Sequence, residues 1–518
     1  MRAACAALLL LVFAAESRAA SPVSAGAPCQ QAWDPPSWEW VASLRHGAPV
    51  EGGGTIVPSA VIDPAVVARG GRIAFVARFT DPNEPARNHG VFTADHLAVR
   101  AIAIGCGRGG GSGEHGSLGD PAPGGGRFAG LFSGTAMAPA IADDGSVLFV
   151  ADLVASLSPR ALFRHDASTR RTTRLVAVGD PTPLGGTFVS VGPGVHGPRG
   201  SVWFVAQRQG TSGGELFVFD PLVAGGGAVR PFACVGDPLP GGGAIALLAT
   251  EIATSVDGSS MAIGPLPFVD ACGTVAFRVH GGGGAPQSGI VVRKDGQDAW
   301  WLRTGDATPQ GGVFTGFGGP VLGGEQLAVY AEHSSGRGPT AGWFVGRPGA
   351  WRRAIGFFDP VDGGQCLSLA MSRAPMTPLD DRGDLVVWCA VDLDARQDRI
   401  VLCRRSGAQQ VLARRGDPVA GGGSFGGGSF GELGGWPSLD GGGRCVVSAQ
   451  VQFALGTSGY FTLAADEPRL AVPPCASIAA EFDVQVSGPF GSHFALAAST
   501  LATEVPLPPF GMLRIGPD

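Results

Sequence analysis

A short stretch that keeps returning restricts this chain more than anything else in it. Gly119-Asp120-Pro121-Ala122-Pro123-Gly124-Gly125-Gly126 comes back as Gly179-Asp180-Pro181-Thr182-Pro183-Leu184-Gly185-Gly186. It comes back again as Gly236-Asp237-Pro238-Leu239-Pro240-Gly241-Gly242, and then at Gly305-Asp306 and Gly416-Asp417. Phe358-Asp359 heads a worn copy, and Gly47-Ala48-Pro49-Val50-Glu51-Gly52-Gly53 is a looser one. The aspartates from Asp120 to Asp417 are spaced 60, 57, 69, 53 and 58 residues apart. A period of that length implies an array of small units rather than one continuous core.

Each unit contains a second signature. Pro139-Ala140-Ile141-Ala142-Asp143-Asp144-Gly145 turns into the apolar run Ser146 to Ala151, and Pro267 to Phe277, Pro378 to Trp388 and Pro437 to Val447 repeat the pattern. Asp followed by Gly supplies the positive φ of a tight turn, and the β-branched and aromatic residues beside it read as strands. Two further strand-like runs complete each unit, for example Ala161 to Arg164 and Arg174 to Val178. Four short strands per unit, with no helical periodicity, predict an all-β chain folded as a β-propeller. Seven four-stranded blades fit the repeat best, with six or eight as alternatives. Trp38 to Arg45 resembles an outer strand that lacks a blade of its own, so it is expected to complete the last blade; Glu467 to Val472 competes for that place.

The hairpin Pro-x-Ile-x-Asp-Asp-Gly-x-Val-x-Phe at residues 139–149 resembles the Ser-Pro-Asp-Gly hairpin of TolB-type propellers. With Gly-Asp-x-x-Pro-x-Gly-Gly, the unit resembles tandem-repeat exported proteins of planctomycete-like bacteria, a group of unassigned function. The resemblance covers residues 40–472. It implies a propeller and an extracytoplasmic setting and carries no catalytic residue across.

Gly (85) and Pro (41) are abundant, but 44% of the 518 residues are apolar and only 15% are charged, the reverse of a disordered composition. The formal net charge of −6 leaves no electrostatic footprint for nucleic acid. Arg2, the apolar run Ala6 to Ala15 and Ser17-Arg18-Ala19 predict a secretory signal over residues 1–19. That run is too short to span a bilayer, so no membrane span is expected. The predicted order is a signal, an extension over 20–37, the propeller over 38–472, and a small β appendage or closing segment over 473–518. The location expected is secreted, periplasmic or at the cell surface, and the protein is expected to be a monomer. Of the ten cysteines, Cys389 and Cys403 are placed on neighbouring strands, and Cys29 with Cys475 offers a tie between the chain ends; buried free thiols are the alternative.

In a blade of alternating strands, the fourth-to-first and second-to-third connections emerge on one face, and loops on a rigid scaffold carry binding. On that face the candidate binding residues are Asp81, Glu84, Arg87 and His89, then His280 and His333, then Asp394, Arg396 and Asp398. Carboxylates beside a histidine suit acid–base work, although mixed charges in a surface loop are ordinarily just solvated. Asp120, Asp180, Asp237, Asp306, Asp359 and Asp417 have the hard oxygens that calcium takes. Their repetition in nearly every unit favours a structural role instead, each aspartate capping its own Gly-Pro turn; no cofactor is expected, with calcium as the alternative. Gly-x-Ser-x-Gly at 422–426 and 427–431 lacks the strand and helix of a nucleophile elbow. Gly105 to Gly110 fits the dinucleotide fingerprint but opens no helix. Trp300, Trp301 and Trp351 could stack on sugars or fill the space between blades. The expected function is a non-enzymatic propeller that binds an extracellular protein or polysaccharide. The alternatives are a hydrolase or lyase acting on an extracellular polymer, or a structural surface component.

Overall fold

The computed structural model describes residues 38–40, most of 49–464, and the short stretches 469–471, 485–487, 503–507 and 511–515. The chain is an all-β propeller. Six blades form from consecutive chain between Val50 and Arg414. A seventh sheet, from Ser424–Phe425 to Thr457–Ala464, takes its outer strand, Trp38–Trp40, from the other end of the chain. Trp38 lies opposite Leu463 and Trp40 opposite Phe461, so one blade combines both ends of the propeller segment. Arg469–Ala471, within the competing stretch, pairs instead with Gln485–Ser487.

Blade 3 shows the plan. Phe188–His196, Val202–Arg208, Glu215–Asp220 and Ala228–Ala233 follow one another as antiparallel neighbours. Blade 5 repeats it with Phe314–Gly323, Gln326–Ser335, Gly338–Arg347 and Ala350–Gly356. In blade 2 the first strand is split into Arg127–Leu131 and Ala140–Ile141, both paired with Val147–Val154. Blade 4 is split likewise, and the hairpin Glu251–Thr254/Ser260–Ile263 lies between the two halves in sequence. Where the strand is unbroken, its register shifts between Val191 and Gly194 and between Phe317 and Pro320. A bulge thus stands where other blades insert chain.

The glycine that ends the second signature, preceded directly by Asp144 in blade 2 and three residues after Asp270 and Asp380 in later copies, forms the turn between first and second strands. Gly145, Gly273 and Gly383 have φ of 83°, 86° and 85°. At two of these turns an aspartate closes the bend: Asp270 Oδ1 accepts from Thr274 N at 2.7 Å and Asp380 Oδ1 from Asp384 N at 2.8 Å. The run that follows is buried on both sides, and its alternate residues serve different cores. Val147, Phe149 and Ala151 pack towards blade 1, while Leu148 and Val150 pack towards blade 3. Val202, Phe204 and Ala206 pack against blade 2, while Trp203 and Val205 pack against blade 4. The core of the propeller is therefore a series of layers between sheets.

Gly-Asp is the joint between successive blades. Asp180 Oδ2 accepts from Ala177 N at 2.8 Å, Asp237 from Cys234 N at 2.8 Å and Asp306 from Arg303 N at 2.7 Å. Asp359 accepts from Gly356 N and Asp417 from Arg414 N, both at 2.6 Å. Asp120 reaches further back, to Ile104 N at 2.9 Å. This differs from the expected capping of the aspartate's own Gly-Pro turn. Ahead of the aspartate, Pro has no N–H, and the next donor is used elsewhere: Thr182 N donates to Gly186 O at 3.0 Å. Behind it, the end of an outer strand leaves an unpaired edge donor, and the carboxylate satisfies that one. The backbone of the same pair holds the next blade: Gly179 N donates to Phe188 O at 2.8 Å, and Phe188 N donates to Asp180 O at 3.0 Å. Phe188 then packs edge-on against Phe217, 5.1 Å between centroids, as Phe128 does against Phe163 and Phe314 against Phe344.

The chain divides into two compact units, Ser37–Leu463 and a second made of Met1–Pro36 with Ala464–Asp518. The described strands of the second unit form two-stranded pairs, among them Thr503–Leu507 with Gly511–Ile515. The secretory signal, the 20–37 extension, Cys29, Cys475 and most of the 473–518 segment lie outside the described residues. No helix among the described residues is long and apolar enough to cross a membrane. Cys389 and Cys403 do lie on neighbouring strands, but Cys389 stands opposite Arg399 and Cys403 opposite Leu385. Both are free and buried, as are Cys234 and Cys366; Cys445 is buried too, whereas Cys272, at an exposed turn, is disulfide-bonded.

Two substitutions test the joint. Gly179, Gly236 and Gly305 have φ near +90°, and a Cβ at any of them would meet no atom within 4 Å, so the position demands a backbone angle and leaves room for a side chain. Phe358 occupies it in the worn copy with φ of 66°. Phe358→Gly is therefore expected to raise stability by up to about 1 kcal/mol in urea titration, since the left-handed angle costs an L-residue roughly 1–2 kcal/mol. Asp180→Ala orphans the Ala177 donor and is expected to cost about 1–3 kcal/mol in the same titration.

Candidate functional site

The second-to-third and fourth-to-first connections share a face, and the sequence candidates fall at strand ends on it. Asp81 follows the strand Ile73–Thr80, and its Oδ1 accepts from Asn83 N at 2.9 Å, which closes a local turn. Arg87 and His89 lie on the strand Arg87–Ala94 rather than in a loop. His89 is opposite Arg78, and its Nδ1 contacts Asn88 Oδ1 at 3.0 Å. His280 belongs to Val275–Gly282 and contacts Ser288 Oγ through Nδ1 and Arg278 Nη2 through Nε2. His333 belongs to Gln326–Ser335, and Asp398 to Gln397–Cys403. Glu84, Asp394 and Arg396 lie outside the described residues.

The expectation that these are solvated loop groups is corrected at two of them. His333 is 1% exposed and Asp398 6%, because the strands run on past the predicted loop boundaries and carry both side chains inward. His333 meets Phe344 edge-on at 5.3 Å between centroids and contacts Ser334 O through Nδ1 at 3.3 Å. Burial lowers the pKa of His89, His280 and His333, with Arg78 adding to the effect at His89 and Arg278 at His280. A lowered pKa favours the neutral imidazole at neutral pH. The candidates come from blades 1, 4, 5 and 6, and among the described residues no three His, Cys, Asp or Glu side chains gather as a metal site would require.

Apart from the repeat aspartates, the polar groups that do come together are not those the sequence singles out. Arg160 Nε donates to Asp152 Oδ1 at 2.8 Å across the end of blade 2. Arg208 Nε donates to Glu215 Oε2 at 2.8 Å across the same place in blade 3, and Glu215 has 0% exposure. Asp362 takes Arg399 Nε at 3.0 Å and Arg414 Nε at 2.5 Å in blade 6. Burial opposes ionisation of Asp362, but Arg414 and then Arg399 hold its carboxyl below the usual range. The repeat aspartates join in, with Arg353 at 2.9 Å from Asp359 and Arg174 at 3.5 Å from Asp180. Burial nonetheless raises the pKa of Asp359 and Asp417. The signal for the first two pairs lies in the sequence: an acid and an arginine flank the second-to-third turn, directly opposite each other at Asp152 and Arg160, while Glu215 stands opposite Ala206, two residues before Arg208.

Residues 115–459, more than half of the chain, match the sequence pattern described as a family of unknown function, DUF7453. The chain belongs to that family. No curated protein matches this DUF7453 chain. Among solved structures it is similar to a mutant puromycin hydrolase complexed with PGG at 15% identity and a TM-score of 0.34, over 69% of this chain and 44% of that one. The DUF7453 chain thus spans less than half of that hydrolase. It is also similar to the propeller domain of the Trilobed protease from Pyrococcus furiosus at 9% identity and a TM-score of 0.37, covering 77% and 93% of the two chains. Trypanosoma rangeli sialidase in complex with sialic acid follows at 12% identity and a TM-score of 0.29, covering 63% and 53%.

The Arg208–Glu215 pair gives a direct test of this face. Arg208→Ala leaves a fully buried carboxylate without its cation and is expected to lower stability by roughly 3–5 kcal/mol by urea titration. Adding Glu215→Gln to it is expected to restore part of the loss.

Proposed function

We propose that this protein is an exported, non-catalytic propeller that binds an extracellular protein or polysaccharide through the face of its fourth-to-first and second-to-third connections. One observation carries the reading: two sets of loops share that face, and only one of them is uniform. The fourth-to-first joints repeat the same aspartate-to-backbone bond in blade after blade. The second-to-third connections vary from the two-residue gap 336–337 through 155–159 to the six-residue stretches 209–214 and 81–86, and no two of them share a sequence. A rigid frame with divergent loops is how propellers and other scaffolds present recognition surfaces. The buried ion pairs beneath those loops support the same reading, since they fix the strand ends from which the loops depart.

The charged groups favour binding over turnover. Asp152 and Glu215 are held by neighbouring arginines, which occupies the carboxylates that acid–base chemistry on this face would need free. The test uses the full mature chain in thermal unfolding against a panel of extracellular polysaccharides, with reducing-end and unsaturated-product assays run in parallel. Binding to the folded state at a hundred times the dissociation constant adds about 2.7 kcal/mol and raises the melting temperature. A rise with one polymer, abolished when 209–214 or 81–86 is replaced by a Gly-Ser linker of equal length, is the expected result. Release of new ends from the polymer would overturn the non-catalytic reading, and a rise untouched by both loop replacements would overturn recognition by the second-to-third loops.

A further inference from the structure

The joint between blades 4 and 5 departs from the repeat in the way a binding site would. Six residues before the loop aspartate, four other joints carry Arg174, Pro231, Arg353 and Val411; here the residue is Trp300. Five before, they carry Leu175, Phe232, Ala354 and Leu412; here it is Trp301. Eight before, where other outer strands have Thr172, Val229, Asp298 and Gln409, blade 5 has Trp351. A role shared by all blades would be repeated in all, so an aromatic cluster confined to one joint points to something other than blade architecture.

The three tryptophans line one cleft of about 410 Å³, together with Arg303, Asp306 and Thr308. Trp301 and Trp351 are half-buried and pack against the core between blades 4 and 5. Trp300 packs on the core between blades 3 and 4, and its Nε1 donates to Pro240 O at 2.7 Å, which holds the indole in place. Arg303 Nη2 and Asp306 Oδ1 stand 3.6 Å apart at the cleft, with side chains 44% and 36% exposed. The other carboxylate oxygen of Asp306 is already occupied by Arg303 N.

We infer that this cleft binds a neutral oligosaccharide, with a pyranose ring against Trp301 and Trp351 and its hydroxyl edge on Arg303 and Asp306. A pyranose offers apolar C–H faces to flat aromatic surface, and Trp contributes large contact area at little entropic cost. Its hydroxyls are both donors and acceptors, matching an arginine that only donates and a carboxylate that only accepts. The rim pair sums to no net charge, so an anionic sugar would gain from Arg303 and lose to Asp306, whereas a neutral one satisfies both. A purely apolar ligand would strip water from the rim pair without replacing its hydrogen bonds. The size is that of an ordinary ligand pocket. The site is formed from outer strands and one fourth-to-first joint, with no second-to-third connection among its lining residues, so it does not rest on the variable loops.

The experiment is calorimetric titration of the full chain with neutral hexasaccharides of glucose, xylose and mannose, alongside an acidic uronate oligomer. One neutral series is expected to bind, with affinity falling roughly tenfold or more in Trp351→Ala. Because Trp351 also packs on the core, Arg303→Gln serves as the second variant; it is expected to weaken binding several-fold at an unchanged melting temperature. Leu184→Ala, an exposed change at another joint, is expected to leave binding as it was. Binding that survives both Trp351→Ala and Arg303→Gln overturns the cleft as the site. Binding of the uronate oligomer alone overturns neutral selectivity, and no heat with any sugar at millimolar concentration overturns the proposal. In each of these cases the loop-replacement experiment still decides the other reading separately.

Discussion

The bond at the centre of this structure runs from an aspartate carboxylate back to the last free N–H of an outer strand. It is small, but it occurs where two independent problems meet. An outer strand has an unsatisfied edge, and the chain must turn from it to the next blade at a fixed angle. Asp180 addresses both problems, because its side chain takes the edge donor at Ala177 while its backbone carbonyl receives Phe188 of the following blade. The preceding glycine completes the joint by adopting the positive φ that points the aspartate backwards. Phe358 shows that this geometry is imposed by the surroundings, since it holds the same region of backbone space without the freedom of a glycine.

Everything between the joints follows from strands buried on both faces. A central strand such as Val202–Arg208 contributes alternate side chains to two different cores, so each blade needs a neighbour on either side. The blade at the end of the array lacks a neighbouring segment of its own chain for its outer strand, and Trp38–Trp40 supplies it. Pairing the two ends of the propeller segment in one sheet removes an open edge and converts a linear repeat into a closed one.

The repeat also explains where specificity can reside. The same Asp-to-backbone bond at most joints leaves that element little freedom to differ, and the polar strand ends are taken up by pairs such as Asp152–Arg160 and Arg208–Glu215. What remains free to vary is the second-to-third connections and the exposed positions of outer strands. Trp300, Trp301 and Trp351 are an instance of the second kind. Their spacing is that of ordinary interblade packing, and one side of Trp301 and Trp351 does pack so; the other side faces a cleft.

Much of the fold is legible in the sequence because its signals are local. Positive-φ glycines, Asp-Gly turns and short apolar runs depend on neighbouring residues, and at a 60-residue period they specify strands, blades and even the closing strand at Trp38. The direction of the Asp bond is not legible, since whether a carboxylate turns forward or back depends on which N–H the adjoining sheet leaves unpaired. Strand ends are also hard to place: His333 and Asp398 read as loop residues, yet pairing across the blade carries the strands past them and buries both. Ion pairs across a blade and a cleft between two blades are long-range matters of register and blade-to-blade packing. The order of residues alone was therefore enough to specify a closed array of four-stranded units, because turn geometry and alternation are properties of adjacent residues. Which side chains meet, which charges are buried and where a concavity opens were settled by the folded arrangement, because those depend on distances between residues the chain keeps far apart.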